Sequence, residues 1–385
     1  MTDARGLILV EHGPGGKPAV FAAPRAVIVA RRAGDVPRAL ARAEAARQAG
    51  GWVAGYLSYE AGYALEPKLA ARMPRGRRAP LLLLGVFDGP HEAAPVLEAM
   101  AVAGQGTSMA PPVPAISRAA YGRAIARVLD YIAAGDCYQV NLTFPMRSRL
   151  LSGDAFGLYG ALRRTGPVGH GAFVDLGQGP VVVSRSPELF FRMDAAGRIE
   201  ARPMKGTRPR DPDPARDAAI AVELATNPKD RAENLMIVDL LRNDISRISQ
   251  VGSVKVPALY AVEHYATVHQ MTSTVTGQLA APPSLPGLVQ ALFPCGSVTG
   301  APKIRAMEII REVEPFARGA YCGAIGWMGP DGAADFSVAI RTLSVTGDRI
   351  VMNVGGGVVH DSTAQGEWEE ALWKARFVKA AESRG

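Results

Sequence analysis

The chain has 385 residues, 48% hydrophobic and 21% charged, which is enough apolar material for a large globular core. Its net charge is +7, but the arginines are scattered and not interleaved with aromatics, which argues against a nucleic-acid interface. The three cysteines, Cys137, Cys295 and Cys322, lie far apart and form no CxxC pair, so neither a disulfide framework nor a thiolate metal site is expected.

The first apolar run, Leu7 to Val10, is short and flanked by Asp3 and Glu11. It is neither a signal peptide nor a membrane span, and a cytoplasmic location is expected. Short apolar runs with Gly/Pro turns continue to about residue 100. Met100 to Pro114 is small, polar and Pro-rich and reads as a linker, which divides the chain into an N-terminal lobe, 1–110, and a larger domain, 115–382. Ser117 caps a helix whose stripe is Ala120, Ala124, Val128 and Ile132. Arg208 to Asp217 reads as an exposed loop. Asn227-Pro228 opens a second helix, and Ser362 a third. AYCGAIGWM, FSVAIRTLSV and RIVMNVGGG read as strands late in the chain. Strands and helices do not alternate regularly, so the expected class is α+β with largely antiparallel sheets.

Four constellations invite chemistry. Asp230 and Glu233 share one helix face, and Glu367, Glu370 and Lys374 share another. Carboxylates without nearby His or Cys suit a hard cation, although surface charge with a Glu370–Lys374 ion pair would look the same. In LFPCGSVTGAPKIRAMEII, Gly296 and Gly300 flank a turn and Pro302 falls at a first helical position, where backbone N–H groups bind anions or simply start a helix. Gly355, Gly356 and Gly357 follow a strand and would admit a ligand to the backbone or form a bulge. Arg341 on its strand would clamp a carboxylate or face solvent. Finally, Lys205 lies between Arg202 and Arg208 in ARPMKGTRPR, and neighbouring positive charge lowers a lysine pKa. Lysines are scarce in this chain, eight in all, and unlike arginine a lysine can shed its proton.

Taken in order, GDCYQVNLT, SRSPELFFR, RPMKGT, DRAENLMIVDLLRND, GSVTGAPKIRAMEII, AYCGAIGW, FSVAIRTL, GGGVVHDS and EWEEALWK resemble the chorismate-utilising enzymes: anthranilate, aminodeoxychorismate, isochorismate and salicylate synthases. The resemblance is strong from Ser117 onward and reaches weakly into the first hundred residues through GYLSYEAGY. It implies a helix-wrapped antiparallel β-sandwich with a central cleft. It also implies that the two parts are an N-terminal lobe of the anthranilate synthase component I type and a chorismate-binding catalytic domain. By motif, Glu233 and Glu370 would bind Mg²⁺ directly, and Asp230 and Glu367 would assist. Tyr321, Arg341, Thr207, Ser297, Gly355, Gly356 and Gly357 would hold the substrate, and Lys374 would balance charge at the metal.

Three positions bear on the reaction within this family. The isochorismate and salicylate synthases resemble one another in a lysine that activates water, where this chain has Gln139, which is no such base. Lys205 stands where anthranilate synthases leave space for ammonia and where aminodeoxychorismate synthases resemble this chain. In those enzymes the lysine amine is taken to add at C2 of chorismate and expel the C4 hydroxyl, and ammonia then to add at C4 and expel the lysine from C2; by the same resemblance Glu188 is the expected general acid here. The V-x-H-x-x-S histidine of anthranilate-forming relatives falls on Gln270, one residue after His269. No glutaminase nucleophile elbow is present, so ammonia is expected from a separate glutamine amidotransferase subunit. Neither nucleic acid nor membrane is an expected partner. An anthranilate synthase component I, a basic nucleic-acid binder and an inactive regulatory relative are the competing readings.

Overall fold

The computed structural model describes residues 6–265 and 268–382. Among them are two sheets, of eleven and ten strands. The strand pairs are antiparallel throughout, as expected for the class. One sheet is centred on Gln139–Ser152, Arg349–Val358, Thr342–Thr346, Val181–Ser186 and His170–Asp175. The other is centred on Val268–Gln278, Leu189–Met193, Ala334–Val338, Ala324–Met328 and Trp52–Leu57. A small apolar core that includes Phe21, Tyr56, Phe87, Val174, Val182 and Ile325 is fully buried and joins strands of both sheets. Burying side chains of this size is worth about 1.5–3 kcal/mol each.

The first hundred residues do not form a sheet of their own. Leu7–Val10 pairs with His170–Asp175, and Trp52–Leu57 pairs with Ala324–Met328, so this stretch adds strands to both sheets. The expected linker is also structured. The helix Ala94–Gln105 covers its start, and Ser108–Met109 and Val113–Pro114 pair with the long strand Gln139–Ser152. In the helix Arg118–Ala133, the Ser117 hydroxyl accepts from the Ala120 N–H as expected. The deepest side chains, however, are Tyr121, Ile125 and Val128, and Ala120, Ala124 and Ile132 flank them.

FSVAIRTLSV is not one strand. Ala334–Val338 ends in one sheet and Thr342–Thr346 begins in the other, with Arg341 at φ +50° between them. The left-handed backbone ends the alternation, so Arg341 sits on a crossover and not on a strand face. SRSPELFF divides in the same way: Val181–Ser186 lies in one sheet, Leu189–Met193 in the other, and Glu188 on the link. The two crossovers are tied together, since Val338 N–H donates to the Glu188 carbonyl (3.1 Å) and Arg185 N–H to the Arg341 carbonyl (3.0 Å). No helix among the described residues is long and apolar enough to cross a membrane.

Candidate active site

The crossovers, the glycine strand and two helices enclose a cleft of about 730 Å³. It is lined by Glu188, Lys205, Thr207, Asp230, Glu233, Ser297, Tyr321, Arg341, Gly355, Gly357, Glu367, Glu370 and Lys374. Gly356 presents its α-carbon to the same helix, where an added Cβ would stand 3.0 Å from Glu367 Oε2 and 3.3 Å from Glu370 Oε1. The catalytic, substrate and metal candidates carried over by motif therefore meet in one place, although they come from positions nearly two hundred apart, whereas Arg202, Gly296, Gly300 and Pro302 do not line it.

On one wall, Asn227 caps the helix Pro228–Ser246, its side chain accepting from the N–H groups of Lys229 and Asp230. That fixes where Asp230 and Glu233 enter the cleft. On the other, the helix Ala364–Lys374 is capped by Thr363, not Ser362. The Ser362 hydroxyl instead donates to Glu367 Oε1 at 2.6 Å. Glu367 is buried and its Oε2 has no partner. Burial raises the pKa of Glu367, and Glu370 and Glu233 push the same way; burial likewise raises that of Glu233. Glu370 ion-pairs with Lys374 (2.6 Å), which also donates to the Gly355 carbonyl (3.0 Å). Asp230 is held by Arg208 at 2.7 Å.

The expected set of four is thus not a ready metal cage: among the described residues, no three such groups stand close enough to form one. The donor chemistry does suit a hard cation, since the carboxylates are oxygen donors that repel one another and one carries an orphaned buried oxygen.

Lys205 Nζ donates to Gln139 Oε1 at 3.2 Å. Burial lowers the Lys205 pKa; Glu233 opposes this, and Lys374 adds to it. The cation that helps is therefore Lys374, not Arg202 or Arg208. Arg202 is engaged with Glu263, and Arg208 with Glu223 and Asp230, so their charge is spent on carboxylates. Glu188 is buried, and burial pushes its pKa to about 7; the Ser297 hydroxyl, donating to Oε1 at 2.7 Å, pulls it back. Burial also pulls the Arg341 pKa down, with Glu188 opposing, and no carboxylate among the described residues lies within ion-pair distance of its guanidinium.

Ser297 and Val298 line the cleft, whereas the start of the following helix, Lys303–Val313, does not. Pro302 is the residue before that helix and not its first, and Lys303 turns away to Asp244 (2.6 Å).

Strand alternation separates His269 from Gln270. His269 is buried against Asp217 (2.8 Å) and His264 (2.7 Å), whereas Gln270 lines the cleft. Asn141 and Asn353 also line it and were not singled out by motif. Asn353 Nδ2 and Gln139 Nε2 are buried without partners. Alternation along VGGG and GDCYQVNLT was the available signal for both.

The cleft thus brings together a lysine, a protonatable carboxylate, a guanidinium and a set of acids between two antiparallel sheets. The chain belongs to the chorismate binding enzyme family, whose model matches residues 8–380. It is 46% identical over 268 residues to aminodeoxychorismate synthase component 1 of Escherichia coli (strain K12), covering 69% of this chain and 58% of that protein. It is 44% identical over 267 residues to anthranilate synthase component 1 of Thermus thermophilus, covering 69% of this chain and 57% of that one. The chain thus spans less than two thirds of the length of these curated relatives. Among solved structures, anthranilate synthase component I from Streptococcus pneumoniae superposes with a TM-score of 0.78 at 25% identity, covering 98% of this chain and 93% of that one.

Proposed function

We propose that the chain is the chorismate-aminating component of an aminodeoxychorismate synthase, acting in the cytoplasm on the route to 4-aminobenzoate and folate. It would convert chorismate and ammonia to 4-amino-4-deoxychorismate, with ammonia delivered by a separate glutamine amidotransferase subunit. The observation that carries this reading is Lys205: a desolvated amine in the same cleft as a buried acid that titrates near neutrality.

Desolvation favours the neutral amine, which is the nucleophilic form. Lys205 Nζ forms a bond to C2, the ring double bonds shift, and the C4–O bond breaks. Glu188, raised to about 7, supplies the proton with which the hydroxyl leaves as water. The secondary ammonium on Lys205 returns a proton to Glu188. Ammonia then bonds to C4, the C2–N bond breaks, and Lys205 leaves as the amine, taking up the proton that the ammonia nitrogen sheds. The net change is chorismate plus ammonia to aminated product plus water.

Arg341, Tyr321 and the backbone of Gly356 and Gly357 hold the enolpyruvyl carboxylate, with Thr207 and Ser297 at the rim of the same site. Glu233 and Glu370 would hold Mg²⁺ directly, with Asp230 and Glu367 behind them. When bound, the ion supplies positive charge for the ring carboxylate. Lys374 keeps Glu370 ionised, since its charge lowers the Glu370 pKa against the opposing effect of burial.

The test is product identification from chorismate, Mg²⁺ and an ammonium salt. A C4-aminated product that retains the enolpyruvyl group supports the reading. Anthranilate with release of pyruvate overturns it in favour of an anthranilate synthase component I. Turnover of glutamine by the chain alone overturns the separate-subunit model.

A further inference from the structure

Lys205 owes its direction to a bulge. The strand Met204–Pro209 runs antiparallel to Val268–Gln278, with Met204 opposite Thr272 and Thr207 opposite Gln270. The chain advances three residues on one side and two on the other, so Lys205 and Gly206 share one place in the ladder. Such a bulge re-aims a side chain and leaves local backbone groups without ladder partners. Gly206 takes φ +82°, and an added Cβ would stand 2.9 Å from both Asp230 Oδ1 and Leu224 Cδ1, so the position requires glycine.

One side chain closes this gap. Gln270 Nε2 donates to the Gly206 carbonyl at 2.8 Å, and Gln270 Oε1 accepts from the Thr207 hydroxyl at 2.7 Å. The amide thus ties the second bulge residue to the residue that resumes the ladder, satisfying the Gly206 carbonyl and the Thr207 hydroxyl. A primary amide supplies the acceptor and the donor together. A carboxylate would keep the Thr207 bond and repel the Gly206 carbonyl. Ammonium and amide chemistry at the tip of Lys205 is handled separately, by Gln139 Oε1.

We propose that Gln270 is the positioning residue of the nucleophile: it latches the bulge so that Lys205 points into the cleft, and it acts on the reaction only through Lys205. The proposal rests on Lys205 being the nucleophile. It assigns a role to the position where the motif of the anthranilate-forming relatives and this chain part company.

The experiment uses the whole chain with chorismate, Mg²⁺ and an ammonium salt, and compares wild type with Gln270→Ala, Gln270→Glu, Thr207→Val, the double variant Gln270→Ala/Thr207→Val, and Lys205→Ala. Steady-state kcat and KM are measured. The rate of adduct formation on Lys205 is followed by intact-protein mass spectrometry without ammonia. Gln270→Ala should lower kcat and the adduct rate in the same proportion, roughly 10- to 100-fold, as a misplaced nucleophile does. KM for chorismate should change much less than kcat, because the bonds lost are those to the Gly206 carbonyl and the Thr207 hydroxyl, and only Thr207 lies at the rim of the substrate site. Thr207→Val should add little in the Gln270→Ala background, since the two act as one unit. Gln270→Glu preserves the size of the side chain, should lose rate in the same way, and carries the test if Gln270→Ala does not fold. A raised KM at unchanged kcat would overturn the proposal and make Gln270 a substrate contact. An unchanged adduct rate would overturn it too. If Lys205→Ala keeps full C4 amination, the nucleophile reading itself fails. If Lys205→Ala is inactive while both Gln270 variants react like wild type, only the latch fails.

Discussion

Asp335 and Glu188 are both buried carboxylates between the two sheets, yet burial has opposite outcomes for them. Around Asp335, His12 Nδ1 stands 3.1 Å away, His170 Nδ1 3.3 Å and Arg192 Nε 2.8 Å. Burial pushes its pKa up, but the bonds from His12 and His170 outweigh this and hold the carboxyl well below its usual range. Among the described residues the Ser297 hydroxyl donates to the Glu188 carboxylate, with Lys205, Lys374 and Arg341 acting from farther off, and burial leaves the group at about 7. The first region is a solved electrostatic problem and fastens the sheets together. The second is looser: Arg341 has no ion pair among the described residues and feels Glu188 only from a distance, and burial drives Lys205 toward neutrality. Burial of charge marks both regions; they differ in how closely the counter-charges approach.

The largest break in this comparison should come from Lys205. Lys205→Ala should cut C4 amination by roughly a thousandfold or more, because a step of the reaction is lost and not merely a contact. Lys205→Arg should be equally inactive, since arginine keeps its charge at every relevant pH. Peptide mapping of the wild-type protein after incubation with chorismate alone should find an adduct of chorismate less one water on Lys205, and its absence together with an active Lys205→Ala variant would sink the covalent route.

Next in size are Glu233→Gln and Glu370→Gln. Each should reduce turnover by about a hundredfold or more and weaken Mg²⁺ binding measured by calorimetry, with the fold retained. Near-wild-type Mg²⁺ affinity in both variants would remove them from the metal site.

Asp335→Asn probes the satisfied region and should do the reverse. It leaves the buried His170 and the half-buried His12 and Arg192 without their anion, and should cost on the order of 2 kcal/mol in urea unfolding. Turnover by the folded protein should hardly change. A large kcat loss at unchanged stability would mean that the two regions are coupled.

The smallest effect concerns pH. Glu188 must be protonated to act as an acid, so the rate at fixed free ammonia should fall as pH rises through about 7. The Ser297 hydroxyl holds that pKa down, so Ser297→Ala should move the falling limb to higher pH, by less than about one unit. A limb that stays in place would assign the titration to another group. Stability should follow opposite signs in the two regions. The raised pKa of Glu188 means that its contribution is complete below the ordinary carboxylate pKa and is lost as pH rises through about 7. The depressed pKa of Asp335 means that its contribution is present above the ordinary value and is lost only in strong acid.

Much of the cleft was legible because its parts are local. Asn227-Pro228 is a cap readable from two adjacent letters, and the i, i+3 spacing of Glu367 and Glu370 survives in the helix that carries them. What escaped was of another kind. Ser362 and Thr363 are adjacent and chemically alike, and only the packing of Glu367 decides that Ser362 binds the glutamate and Thr363 the helix start. FSVAIRTLSV keeps a strand-like pattern through a change of sheet, because both halves are buried and only the backbone of Arg341 records the break. Asp230 and Glu233 share a helix face, but spacing could not foresee that Arg208 would claim Asp230. The bulge at Gly206 is invisible in spacing, since it exists only relative to the strand beside it.

The weaving of the early strands into both sheets sets a schedule for synthesis. Trp327 donates from its indole nitrogen to the carbonyl of His12, 315 residues earlier, and Gly357 pairs with Asn141. On the ribosome, Gln139–Ser152 therefore waits for a partner strand made some two hundred residues later, roughly 10 to 40 seconds at ordinary elongation rates. Throughout that interval its edge on the side of Arg349–Val358 is open to other nascent chains, and the cleft does not yet exist in any form. Pairing between strands so far apart in the chain is slow, and the unpaired edges are exposed to aggregation until it is complete.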